Sequence, residues 1–294
     1  MSFEAASSDL INFIDRSEQD GAILVATDGQ SHADPAMIAA AFLAGRNGQS
    51  THVFSAVESG DDERMIRHEL LTRRVKVETQ VALTVGEAAE WPIHVDAGTL
   101  GDVSKRIIAE THAQLLVLGQ CRHRGLGMAP DRGAATERLL RGTIPAYIAA
   151  PTLRGLARRV VIAMDFSETS VRAAQLATRF CAPQANLYFV HVVPSVAISE
   201  LEERRRHLQR MTTLLNRGTD HRGEAVLLVG SAAPELLGFA GGIQADLIVC
   251  GASSLVAYPT RRPLSPAIGR VTRELIRRTS CSLLIAPEMI VTGD

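Results

Sequence analysis

The sequence predicts an α/β fold of two tandem open parallel five-stranded sheets flanked by helices. Three observations lead there. First, the chain nearly repeats itself: Arg141-Gly-Thr-Ile-Pro-Ala-Tyr-Ile-Ala-Ala-Pro151 is answered by Arg277-Arg-Thr-Ser-Cys-Ser-Leu-Leu-Ile-Ala-Pro287, a shift of 277 − 141 = 136. Leu115-Leu-Val-Leu-Gly119 is answered by Leu247-Ile-Val-Cys-Gly251 at a shift of 132, and Ala26-Thr-Asp28 by Ala163-Met-Asp165 at 137. Blocks in one order at nearly constant spacing mark a duplicated domain rather than a short-period solenoid. Second, the short apolar runs are continuous, as in strands buried on both faces. Third, these runs alternate with helix-period segments, the pattern of a doubly wound parallel sheet.

The elements follow in order. Ala22 to Thr27 is the first strand; Asp28-Gly-Gln-Ser is a turn with N-cap chemistry, and an alanine-rich helix runs from about Asp34 to Ala44. Thr51 to Val57 is the second strand, and a charged helical stretch covers Asp61 to about Ala89. Trp91 to Asp96 is the third strand, Gly98 opens a turn, and Asp102 to His112 is a helix. Leu115 to Leu118 is the fourth strand, followed by a long loop, a helix from about Ala134 to Arg141, and a last strand from Ala146 to Ala150. The second half repeats the series, with strands at Val160–Met164, Asn186–Val193, Ala225–Val229, Leu247–Cys250 and Leu283–Ala286. Its helices are expected at Ser170–Phe180, Ser199–Arg217, Pro234–Gly241 and Gly269–Arg277. The domains are therefore 1–151, with a core from about Gly21, and 158–294, joined by a linker at 152–157.

Composition narrows the function classes. Two domains of roughly 140 residues are each large enough to bury a core of their own. A net charge of −1 gives no global pull toward nucleic acid or anionic lipid. Lys76 and Lys105 are the only lysines, so a lysine nucleophile or phosphate-loop lysine has almost nowhere to sit. Cys121, Cys181, Cys250 and Cys281 are scattered without metal-ligand spacing and read as small buried thiols. Residues 1–20 are polar and acidic, without the apolar core of a signal peptide. No apolar run approaches the ~18 residues of a membrane span. The expectation is a soluble, cytoplasmic protein with neither nucleic acid nor membrane as partner.

The motifs add a resemblance. Met164-Asp-Phe-Ser-Glu-Thr-Ser170 is close to Asp-x-Ser-x-x-Ser, and Gly230-Ser-Ala-Ala-Pro-Glu is followed by Ala245-Asp-Leu-Ile-Val-Cys-Gly251. Gly133-Ala-Ala-Thr-Glu-Arg-Leu-Leu-Arg141 is similar to Gly-Ser-x-x-Glu-Arg-Val-Leu-Arg. In their order and spacing these motifs resemble the universal stress protein family, in its tandem form, across nearly the whole chain from about Gly21. The resemblance implies a Rossmann-like sheet of the adenine nucleotide alpha hydrolase type. It also implies an adenine nucleotide (ATP, ADP or AMP, with magnesium) at the carboxyl ends of strands one and four, where open parallel sheets bind ligands.

On that reading Ala26, Thr27, Asp28, Val57, Gly119, Arg122, His123, Gly133 and Ala134 line the first-half pocket. Asp165, Gly251, Ser254 and Gly269 line the second. Aspartate at the end of strand one accepts from adenine or ribose, while glycine turns and a helix N-terminus offer amides to phosphate. An aspartate in that place is equally a helix cap or turn residue. The family's ATP binders carry Gly-x-x-Gly, nine residues, then Gly-Ser or Gly-Thr. Here Arg122 replaces the second glycine, Gly133 comes one residue late, and Ala134 replaces the hydroxyl. Arg122-His-Arg124 either binds phosphate by charge or is a solvated basic loop. In the second half Ser254 holds the second glycine place, the loop carries Pro259, Pro263 and Pro266, and Arg270 follows Gly269. The first half is thus the better-kept phosphate loop.

Catalysis has little to stand on. The sequence contains no Gly-x-x-x-x-Gly-Lys loop, His-x-Gly-His or Gly-x-Ser-x-Gly elbow, and no Glu-His pair at metal-ligand spacing. His52, His94 and His191 lie in strands and read as structural; Glu202-Glu-Arg-Arg-Arg-His207 reads as a solvated helix face. The expected function is a non-catalytic stress-response regulator responsive to an adenine nucleotide. A slow nucleotide hydrolase and a pure interaction scaffold stand as alternatives. Because the family pairs through last strands, the resemblance implies an intrachain pseudo-dimer with Ala146–Ala150 against Leu283–Ala286, protecting two edges from aggregation. Association of two chains into a homodimer is left open.

Overall fold

The computed structural model describes residues 21–58, 62–120, 139, 144–194, 198–252 and 268–288. The first half contains β1 (Ile23–Ala26), a single 3-10 turn (Ser31–Ala33), α1 (Asp34–Asn47), β2 (Thr51–Val57), α2 (Glu63–Thr84), β3 (Ile93–Ala97), α3 (Leu100–Thr111), β4 (Leu115–Gly119) and β5 (Ala146–Ala149). The second contains β6 (Ala157–Ala163), α4 (Glu168–Phe180), β7 (Cys181–Val193), α5 (Ile198–Leu215), β8 (Arg222–Val229), α6 (Ala232–Gly242), β9 (Leu247–Gly251), α7 (Arg270–Arg278) and β10 (Ser282–Ala286). Of the helix expected at Ala134–Arg141, only Leu139 falls within the described residues; it is helical and buried.

Local chemistry sets the starts of the helices. Asp62 caps α2 by accepting from the amides of Arg64 and Met65, Thr99 caps α3 through Asp102, and Ser167 caps α4 through Ser170. β7 begins five residues earlier than its apolar run, because Ala157 pairs with Cys181 ahead of a bulge and the regular register resumes at Arg159 with Asn186.

The two five-stranded sheets are one sheet of ten, in the order β3-β2-β1-β4-β5-β10-β9-β6-β7-β8. Pairing is parallel throughout each half and antiparallel only at the seam, where Leu283 faces Ile148, Leu284 faces Tyr147 and Ile285 faces Ala146. The paired numbers keep a constant sum, as an approximate two-fold axis between the halves requires. Side-chain contacts reinforce the seam: Gln120 Nε2 donates to the Thr279 carbonyl (2.8 Å), and the Ala150 amide donates to Ser282 Oγ (3.1 Å).

The core is divided by sheet face, not by domain. Alternate strand residues point to opposite sides, so Ile23, Val25, Leu247, Val249 and Leu284 join one buried cluster. Leu24, Ile248, Leu283 and Ile285 join the other. Each cluster runs through both halves. The cause is the seam, which makes each face of the sheet continuous across the halves.

One edge pair carries a pH dependence. His52 Nδ1 and His94 Nε2 lie 3.1 Å apart on β2 and β3, with the rings stacked at 5.4 Å. Burial, and then the neighbouring His94, hold the His52 pKa below its ordinary 6.5. A depressed pKa in the folded state means that the unfolded chain binds the proton more readily. The contribution is therefore complete above pH ~6.5 and is lost as pH falls through the folded value. His191 and His207 are shifted in the same direction, chiefly by burial. The urea midpoint is expected to fall between pH 7 and pH 5, and His52→Gln to flatten part of that slope.

Candidate functional site

The strand order turns back between β1 and β4 in the first half and between β6 and β9 in the second. At such switch points the loops leaving neighbouring strands part in opposite directions and leave a crevice. Asp28 and Asp165 stand just beyond β1 and β6, at these two points.

In the first half, Thr27 and Asp28 are held by the turn itself. Asp28 Oδ1 accepts from the Gln30 amide (3.0 Å), and His32 Nε2 lies 3.6 Å away. Thr27 Oγ1 accepts from the Gly29 amide (2.9 Å) and donates to Gln80 Oε1 (2.6 Å). Gln80, buried on α2, closes the arrangement by donating to the Gln30 carbonyl and to Asp34 Oδ1, each at 2.7 Å. The Thr27 hydroxyl proton is thus spent on Gln80. Ala26 ends β1, and Val57, ending β2, is buried. Arg122, His123, Gly133 and Ala134 lie outside the described residues, so the phosphate-loop expectation for this half has no geometry to set beside it.

In the second half the equivalent turn repeats the pattern. Asp165 Oδ1 accepts from the Ser167 amide (3.0 Å) and the Ser167 hydroxyl, while Ser167 Oγ accepts from the Ser170 amide (3.1 Å). Both aspartates therefore act as turn residues, whatever else they contact. The residue after each adopts a left-handed backbone, Gly29 at φ 76° and Phe166 at φ 64°. A phenylalanine is strained there. Its ring is held between His191 and His207, each 4.4 Å away between centroids. His191 Nδ1 donates to the Met164 carbonyl (2.6 Å), so this histidine braces the end of β6.

Gly119 and Gly251 end β4 and β9 and meet a packing demand that needs no ligand. A Cβ on Gly119 would sit 2.6 Å from the His32 carbonyl oxygen, and one on Gly251 would sit 2.8 Å from Thr169 Cγ2. At Gly119 the obstacle is backbone of the 3-10 turn, and at Gly251 it is the methyl of Thr169 at the start of α4.

Around Asp165 and Gly251 the described residues line an open cavity of about 230 Å³. Its polar lining comes from Asp165, Ser167, Ser170, His191 and Thr272, its apolar lining mainly from Val190, Val192, Ala232, Leu236 and Val271, with Gly251 and Gly269 between them. Gly269 caps α7 without a side chain; its amide donates to the Ala252 carbonyl (2.7 Å), and Thr272 Oγ1 donates to the Gly251 carbonyl (2.7 Å). The amides of the first turn of α7 thus start beside the cavity, where the helix dipole favours negative charge. Burial pushes the Cys250 thiol up to about 12, so it lines the cavity as a neutral, apolar group.

Of the predicted residues, Asp165, Gly251 and Gly269 come together here, and Ser254 lies outside the described residues. Sequence reasoning missed the α6 side chains Ala232 and Leu236; their i, i+4 spacing places them on one helix face. It also missed Ala163 and Met164, which the 137-residue shift matches to Ala26 and Thr27. A larger groove of about 920 Å³ runs beneath the seam, between the linker residues Thr152–Ala157 and Arg278–Ser282. It lies at the amino ends of β6 and β9 and contains no predicted site residue. No group of His, Cys, Asp and Glu among the described residues has the geometry of a metal site, and no described helix is long and apolar enough to cross a membrane.

Comparison with known proteins agrees with this architecture. Among curated proteins none matches the sequence. A universal stress protein from Archaeoglobus fulgidus has a similar fold, with a TM-score of 0.66 at 18% identity over 93% of this chain and 99% of that one. A functionally unknown protein from Pseudomonas aeruginosa follows at 0.57 and 16%, over 93% and 95% of the two chains. The model of the universal stress protein family matches twice, over residues 21–143 and 157–287. The chain therefore belongs to the universal stress protein family, in its tandem two-domain form.

Proposed function

We propose that this protein is a non-catalytic regulator that responds to an adenine nucleotide held in its second half. The observation that carries this reading is the cavity at the β6–β9 switch point. Its apolar floor suits the faces of a nucleobase. The second carboxylate oxygen of Asp165 suits a ribose hydroxyl, and the first turn of α7 suits a phosphate. At about 230 Å³ the cavity is below the ~300–1,000 Å³ of pockets that enclose a whole drug-sized ligand. On this reading a base and sugar occupy it, with the phosphates directed toward the first turn of α7. The reading shifts the weight from the first half to the second, because the second-half wall is built from aliphatic side chains and not only from loop glycines.

The regulator reading is supported by what the cavity wall offers chemically. Hydrolysis of a phosphoanhydride needs a group to orient water and a cation to neutralise charge. Of the polar groups lining the cavity, the hydroxyls of Ser167, Ser170 and Thr272 are committed to Asp165, the Ser167 carbonyl and the Gly251 carbonyl, and His191 is held through Nδ1 on the Met164 carbonyl. No cation-binding cluster stands among the described residues. Two assays on the purified protein separate the alternatives. Nucleotide released on denaturation, with no phosphate released from ATP over hours, is the expected result. Steady phosphate release would establish a hydrolase, and the absence of any retained or added nucleotide binding would establish a scaffold.

A further inference from the structure

The groove beneath the seam is built differently from the cavity at the β6–β9 switch point. At about 920 Å³ it lies within the ~300–1,000 Å³ range of pockets that hold a small molecule. Both halves line it, with Phe42 of α1 and Tyr147 of β5 from the first and Leu237 and Gly241 of α6 from the second. The linker adds Leu153 and Leu156. Phe42 is 40% exposed and the two linker leucines are half-buried, so apolar surface stands open along the groove. The approximate two-fold axis does not reproduce the linker wall, because the chain crosses from one half to the other once.

Its charge is one-sided. Among the described residues, Arg154, Arg158 and Arg278 line the groove against Asp246, a net 3 − 1 = +2. Asp246 is spent on the fold: Oδ2 accepts from the amides of Arg158 and Arg159, each at 2.9 Å, and Oδ1 lies 3.8 Å from the Arg159 guanidinium. Arg278 is paired with Glu274 at 2.6 Å. Arg154 commits one nitrogen, Nη1, to the neighbouring Leu153 carbonyl (2.9 Å). The Arg158 guanidinium has no hydrogen bond or ion pair among the described residues. Two guanidiniums on either side of Leu156 therefore keep most of their five donors each. Burial raises the pKa of the Cys281 thiol and pushes the Tyr147 phenol up to about 12, so neither adds negative charge to the groove.

We propose that this groove is a second binding site, for a small organic anion with an apolar body against Phe42, Leu156 and Leu237 and a carboxylate or phosphate head on Arg154 and Arg158. The planar guanidinium presents paired donors that match either head. An inorganic anion lacks the body and a neutral alcohol lacks the head, so each binds more weakly than the two parts joined. The site is independent of any nucleotide in the β6–β9 cavity, which lies at the opposite, carboxyl ends of those strands.

Calorimetric titration of the full-length protein with octyl phosphate and octanoate, below their micelle concentrations, tests this beside octanol and inorganic phosphate. The expected result is saturable one-to-one heat with at least one of the two amphipathic anions, and at least tenfold weaker binding of octanol and inorganic phosphate. Two variants locate the site, with circular dichroism confirming the fold of each. Arg154→Gln with Arg158→Gln changes two exposed side chains and should weaken the anion tenfold or more while leaving octanol as it is. Gly241→Leu should obstruct the apolar body: a Cβ at Gly241 meets nothing within 4 Å, so the backbone accepts it, and the longer side chain extends from the groove wall. No binding of either anion, or anion binding unchanged in either variant, would overturn the proposal. So would displacement of the anion by AMP, because the groove would then be the nucleotide site itself.

Discussion

Leu284→Ala is expected to lower stability by about 2–5 kcal/mol, the range for truncating a fully buried leucine. Leu284 has no exposed surface and faces Tyr147 across the seam. Alanine would leave a void between β5 and β10, and the flanking strands cannot close it without breaking the ladder that joins the halves. Because each buried cluster passes through this seam, the damage is not confined to the second half. Calorimetry should show a single transition in both proteins, with Tm lowered on the order of 5 °C or more in the variant. A variant that unfolds in two steps, with the first-half transition unmoved, would show that the halves hold separate cores after all.

Gly119→Ala is the second large effect, at about 1–3 kcal/mol for forcing a methyl group into a filled space. The added Cβ would meet the His32 carbonyl at 2.6 Å and the Ala33 Cα at 3.0 Å, both backbone atoms that move only with the 3-10 turn. Gly251→Ala should cost less, because its obstacle is the methyl of Thr169. The pair Gly251→Ala, Thr169→Ser should recover most of that loss, whereas no side-chain change rescues Gly119→Ala. Urea denaturation of the three variants and the wild type measures the difference. Equal costs at the two glycines would mean that the close approach at His32 relaxes freely.

These two glycines also show what the sequence alone reveals. Their recurrence after matching apolar runs was legible, and a nucleotide loop was one reading of it. The packing reason, a carbonyl of the 3-10 turn in one half and a threonine methyl of α4 in the other, depends on how the segment after each first strand lies over the fourth. The strands were legible throughout because burial on both faces leaves continuous apolar runs. The seam was legible only through family resemblance, since nothing in Ala146–Ala150 names Leu283–Ala286 as its partner.

The cavity was the least legible part. Its floor comes from α6 and its caps from turns beside Asp165, far apart in sequence and chemically ordinary. Counting loop glycines therefore weighted the first half, whereas the described residues line an open cavity in the second.

The measurement that tests the central claim most directly is calorimetric titration of AMP, ADP and ATP, with magnesium, into the wild type and into Ala232→Leu. Ala232 lines the cavity at the start of α6, and leucine there fills the floor while leaving the Asp165 turn intact. The account predicts saturable heat with at least one nucleotide in the wild type, weakened tenfold or more in the variant. Heat that is unchanged by Ala232→Leu would place the site elsewhere, and no heat with any of the three would contradict the nucleotide reading altogether.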